Sequence, residues 1–104
     1  MPKGINKSDW DKVHELACEV VNATLDEDDV LSESRNEELL GTLNDLRIKY
    51  GDHPSILGTL GDFSEDTNER MNYYNKALVR AKELNYQTEI DEIEDSIHSL
   101  QHDT

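Results

Sequence analysis

Residues 54–84 read PSILGTLGDFSEDTNERMNYYNKALVRAKEL, and this stretch decides the fold. Pro54 suits a first helical turn, where a missing N–H costs nothing. Ile56, Leu57, Leu60 and Phe63 then recur at helical spacing to give a short apolar face. Gly58 and Gly61 fall within it, and each weakens an isolated helix by about 1 kcal/mol relative to Ala. Their presence is better explained by another helix approaching closely. Ser64 or Asp66 can cap the next helix, with Glu69 three residues beyond Asp66. Met71, Tyr74, Ala77, Leu78, Ala81 and Leu84 continue as a long stripe that stops at Asn85, a residue tolerant of the left-handed turn after a helix. Two helices separated by a short polar turn make an antiparallel hairpin.

The same reading extends to both ends. Ser8, with Asp11 three residues on, offers a helix start, and Trp10, Val13, His14, Ala17, Val20 and Val21 follow at three and four, predicting a helix near residues 9–24. Residues 25–33 carry Asp26, Glu27, Asp28 and Asp29 in succession; four adjacent like charges disfavour packing and predict an acidic surface loop. Leu39, Leu40, Leu43, Leu46 and Tyr50 predict a second helix over about 34–50, closed by Gly51. Ile90, Ile93, Ile97 and Leu100 predict a closing helix over about 88–100, its other faces filled by Glu89, Asp91, Glu92, Glu94 and Asp95. No alternating run reads as a strand. The fold class expected is all-α: about five helices as antiparallel hairpins in one domain over residues 1–104, with 1–8 and 101–104 frayed.

The order Leu57-Gly58, then Tyr74, then Ala77-Leu78 resembles a tetratricopeptide repeat. The resemblance covers about a third of the chain. It implies an α-α superhelix in which Gly58 and Ala77 sit where the helices of one hairpin touch, with the last helix as a cap. Three positions depart from the family pattern: Pro54 and Gly61 stand where bulky aromatics are usual, and Arg70 where a small residue is.

Composition limits what such a scaffold does. Twenty-four Asp and Glu against ten Lys and Arg leave 104 residues with a formal net charge of −14. Self-repulsion of that size opposes compactness while attracting cations at long range, so a field retained on so small a domain points to a basic protein partner. It disfavours direct nucleic-acid binding, since phosphates are repelled and no basic patch compensates. No run approaches the apolar length of a membrane span, and Met1 to Asp9 lacks the apolar run of a secretory signal. The single cysteine, Cys18, cannot form an intramolecular disulfide; with the missing signal, this makes the cytoplasm the expected location.

The residues expected to meet that partner are Asp26, Glu27, Asp28, Asp29 and Glu33 on the acidic loop and Glu89, Glu92 and Asp95 on the closing helix. Tyr73, beside the main stripe of its helix, would be an amphipathic anchor. Catalytic and metal-binding patterns are absent. The acidic run lacks the glycine and terminal glutamate of a calcium loop. Asp11 with His14 and Asp95 with His98 lack the inward glutamates of a di-metal bundle site, and His14 falls on the apolar stripe as a core residue. Cys18 has no basic neighbour to activate it and reads as structural. Gly58-Thr59-Leu60-Gly61 has neither the lysine nor the preceding strand of a phosphate loop. No cofactor is implied.

In size and charge the chain is also similar to bacterial immunity proteins. That similarity implies a non-enzymatic inhibitor docking on a basic toxin domain, a nuclease among the candidates. The alternative is an adaptor holding a peptide between hairpins, with Ser55, Thr59 and Asp62 facing the groove.

Overall fold

The computed structural model describes residues 3–102 and is all-helical over them, with five helices and no strand. These are α1 (Lys7–Leu25), α2 (Asp29–Tyr50), α3 (Pro54–Phe63), α4 (Thr67–Leu84) and α5 (Gln87–His102). Where a single domain was expected, the chain divides into two compact units, Met1–Tyr50 and Gly51–Thr104. Expected fraying at residues 7, 8, 101 and 102 is replaced by helix. Residues 1, 2, 103 and 104 lie outside the described part.

In the first unit α1 and α2 pack as a hairpin. Helix α1 starts at Lys7 because Asn6, not Ser8, caps it. The Asn6 side chain accepts from the Ser8 N–H at 2.9 Å and from the Ser8 hydroxyl at 2.7 Å. Val13, Leu16, Val20 and Ala23 of α1 and Leu39, Leu43 and Leu46 of α2 are buried. This stripe is rotated from the expected one. His14 is exposed, the reverse of the core placement read from spacing; Cys18, read as structural, is exposed as well, and Val21 is half-exposed. A hairpin of two helices buries one stripe of each, so the second apolar row of α1 stays at the surface.

A latch joins the far ends of this hairpin. Asp9 accepts hydrogen bonds from Lys49 Nζ at 2.8 Å and from the Tyr50 hydroxyl at 2.5 Å, and the Tyr50 oxygen accepts from the Asn6 N–H at 3.1 Å. The bond from Lys49, then that from Tyr50, holds the Asp9 carboxyl below its ordinary range.

The second unit begins at Gly51, in the left-handed region at φ 80°. His53 caps α3: its Nδ1 accepts from the Ser55 N–H at 3.1 Å, which fixes Nδ1 as the unprotonated nitrogen. Of the two cap candidates for α4, Ser64 and Asp66, it is Asp66 that caps, accepting from the Glu69 N–H at 3.0 Å. Asn85 closes α4 at φ 58°. Ile56, Leu57 and Leu60 of α3, Tyr74, Ala77 and Ala81 of α4, and Ile93 and Leu100 of α5 form the core. Helix α5 packs along α4 and touches α3. Tyr74 is the buried aromatic among the described residues; Trp10, Tyr50 and Phe63, also on the expected apolar faces, are half-buried.

The two glycines of α3 separate. A Cβ on Gly61 would lie 2.7 Å from the Tyr74 ring, so Gly61 is the residue that admits a neighbouring helix, while a Cβ on Gly58 would meet nothing within 4 Å. The helix contact expected at Gly58 is therefore made at Gly61.

Two predictions follow from packing and the latch. Gly61→Ala should destabilise by about 1–3 kcal/mol through overpacking, whereas Gly58→Ala should be neutral or stabilise by up to about 1 kcal/mol through helix propensity; denaturant titration separates them. Asp9→Asn should lower the melting temperature at neutral pH. Because the Asp9 pKa is depressed in the fold, its stabilisation exists above about pH 4 and is lost as pH falls through the folded value. The two melting curves should converge in acid, and a gap independent of pH would contradict the latch.

Candidate partner-binding surface

Three residues, not nine, link α1 to α2. Asp26, Glu27 and Asp28 finish one helix and begin the next. The Glu27 N–H bonds the Thr24 carbonyl at 3.1 Å and the Asp28 N–H bonds the Ala23 carbonyl at 2.9 Å, with Glu27 at φ 58°, a conformation usually left to glycine. Asp28 then serves as the cap of α2: its carboxylate accepts from the Leu31 N–H at 3.1 Å and its carbonyl from the Ser32 N–H at 2.9 Å. Consecutive acids resist packing, but at a helix start they complement the exposed N–H groups and the positive end of the dipole. The expected loop over 25–33 thus becomes a tight turn, and Asp29 and Glu33 lie in the opening turns of α2.

Asp26, Glu27, Asp28, Asp29 and Glu33 are exposed and adjacent on the turn and start of α2. In the second unit Glu92 and Asp95 are exposed one helical turn apart on α5, while Glu89 and Tyr73 are half-exposed. Among the described residues none of these eight carboxylates is in an ion pair. Ion pairs elsewhere among the described residues include Lys7 to Asp11, Arg35 to Glu19 and Glu38, Lys49 to Asp9, and Arg80 to Glu83. Carboxylates with no ion-pair partner add their charge undiminished to the field of this surface.

Around Asp95 the second unit has an open cavity of about 270 Å³, lined by Asp62, Arg70, Tyr74, Asp95, Ser96 and Ser99 over Leu100. Its back wall is a bonded network. The Tyr74 hydroxyl donates to Asp62 at 2.6 Å, Arg70 Nε donates to the Gly61 carbonyl at 3.2 Å, and Arg70 Nη2 approaches the Tyr74 oxygen at 3.5 Å. Although Asp62 keeps much of its surface open, desolvation of its carboxyl raises the pKa more than the Tyr74 bond and the Arg70 charge lower it. Desolvation and the bond to Asp62 likewise raise the Tyr74 phenol.

Of the residues expected to meet a basic partner, only Asp95 belongs to this cavity; Asp62, expected to face a groove under the adaptor alternative, lines it as well. Periodicity placed Tyr74 in the core but carried no sign of its partners. The usable signal was Gly61, whose close neighbour brings the following residue, Asp62, beside that neighbour's hydroxyl. Among the described residues no group of His, Cys, Asp and Glu is arranged to hold a metal, and no helix is long and apolar enough to cross a membrane. No protein-family model, curated protein or solved structure matches this chain.

The raised pKa of Asp62 gives a signed prediction. Its unfolded form releases its proton first, so its ionisation removes stability as pH rises from about 4 through the folded value. The unfolding free energy of wild type relative to Asp62→Asn should therefore fall as pH rises above about 4, measured by urea titration at each pH. A difference that grew with pH would mean the carboxylate is net stabilised in the cavity.

Proposed function

We propose that this protein is a non-catalytic binder that captures a basic protein by electrostatic docking, in the manner of the small acidic immunity proteins that neutralise toxin domains. The observation that carries this reading is the set of eight surface carboxylates with no cation of their own chain beside them. Their attachment matters as much as their number. Asp26 to Asp29 are fixed by a turn whose backbone bonds are made, and Glu92 and Asp95 stand on a regular helix. Carboxylates held this way meet Lys and Arg of a partner with little further ordering, which favours fast, oriented association. Tyr73, half-exposed on α4, is the proposed apolar contact.

The adaptor reading draws on the α3–α4 hairpin and its tetratricopeptide-like residue order, but one groove group it needs is already engaged. The Thr59 hydroxyl donates its proton to the Ser55 carbonyl at 2.7 Å. Charge on the outer faces is the freer resource.

The test joins capture to measurement. Immobilised wild type should retain a basic protein from extracts of its source, and the purified pair should be titrated between low and high salt. Affinity should fall steeply with ionic strength, since solvent-open charges are screened within about 10 Å at 0.1 M. A variant carrying Asp26→Asn, Glu27→Gln, Asp29→Asn, Glu33→Gln, Glu89→Gln and Glu92→Gln, with Asp28 kept as a helix cap, should bind at least about tenfold more weakly, or about 1.4 kcal/mol. Unchanged affinity in this folded variant, or indifference to salt, would overturn the reading.

A further inference from the structure

The cavity beside α5 has a lopsided hydrogen-bonding inventory. The Tyr74 hydroxyl proton goes to Asp62 at 2.6 Å, and the Ser96 hydroxyl proton goes to the Glu92 carbonyl at 3.1 Å. Both oxygens therefore offer the cavity lone pairs alone. The Asp62 and Asp95 carboxylates add further acceptors, and Asp95 has no hydrogen-bond partner among the described residues. Against these stand Arg70, two of whose groups already point to Gly61 and Tyr74, and the rotatable hydroxyl of Ser99. The formal charge of the lining is −1, from two aspartates and one arginine.

We propose that this cavity is a subsite for a single arginine side chain presented by the basic protein partner. The proposal rests on the binding reading above and assigns it a place. Acceptors come from three helices: Asp62 at the end of α3, Tyr74 on α4, Asp95 and Ser96 on α5. Acceptors so distributed suit a flat group with five N–H donors in a fork more than the compact, strongly hydrated ammonium of lysine. The whole-chain charge of −14 draws the cation in and disfavours an anion on Arg70. Leu100, a buried apolar residue of the lining, gives the methylene stem an apolar support.

The probe is N-acetyl-arginine amide, titrated into ¹⁵N-labelled protein and followed by amide chemical shifts, with the lysine and citrulline analogues as controls. Saturable shifts are expected at Asp62, Arg70 and 95–99, smaller for lysine and absent for citrulline, which keeps the shape but loses the charge. Asp95→Asn should weaken binding about three- to fivefold, as loss of one solvent-open charge pair does, and Ser96→Ala should weaken it less. Asp95 and Ser96 lie outside the core, so both variants keep the fold to be tested. Equal shifts with lysine, shifts scattered over all acidic surfaces, or an Asp95→Asn titration identical to wild type would overturn the proposal. The probe does not involve the macromolecular partner. An unresponsive cavity with partner capture intact removes the subsite alone, whereas a responsive cavity with no salt-dependent partner removes the binding reading.

Discussion

The hydrogen bond from Tyr74 to Asp62 across α3 and α4 organises the second unit, and it exists because residue 61 has no side chain. With a Cβ at that position only 2.7 Å from the ring, any other residue would push α4 outward and separate the hydroxyl from the carboxylate. The consequences run outward from this contact. Arg70, four residues before Tyr74 on the same helix, reaches back to the Gly61 carbonyl, so the glycine's backbone and its vacant side-chain volume are both used. The network then fixes which atoms face the cavity under α5. Gly61 and Arg70, two of the departures from the tetratricopeptide pattern, are thus directly bonded to one another and make one local solution.

Charge is arranged by the same economy of backbone groups. A chain with fourteen excess negative charges must place them where the fold gains from them or where water screens them. Asp28 and Asp66 cap helices, and Asp9 and Glu19 bind cations across the first hairpin. The rest of the acidic turn and the outer face of α5 are left to solvent. These are the groups through which a cationic surface gains most on the binding reading, because no ion pair within the chain must first be broken.

Residue spacing made most of the fold legible. The α4 stripe, the Asp66 cap, the left-handed Asn85 and Gly51, and the Leu39–Leu43–Leu46 row all stand as read. Where reading failed, two local signals competed. Helix α1 carries two apolar rows, and periodicity alone does not say which one α2 covers; hence His14 was placed inward though it is exposed. Asn6 outcompeted Ser8 as a cap, and Asp28 turned a run of like charges into a helix start. The cavity was the least legible part because its residues are drawn from three helices and only packing brings them together. The acids of the turn and of α5 were visible in the sequence, but their lack of partners depends on where ten cations fall in space.

Glu27 shows how cost and use separate on this surface. Its left-handed backbone costs a residue with a side chain about 1 kcal/mol or more, which glycine would avoid, and the bonds that close the turn come from backbone groups that glycine also has. Within the described chain its carboxylate makes no hydrogen bond or ion pair to offset that cost. Folding therefore has no need of a glutamate here, and the charge adds to the repulsion from Asp26, Asp28 and Asp29. On the binding reading the sign reverses: the strained turn holds an exposed carboxylate between two helices, and a cationic partner relieves the repulsion that the free protein bears. The turn is then least favourable alone and most favourable when covered, the energetic profile of a docking point.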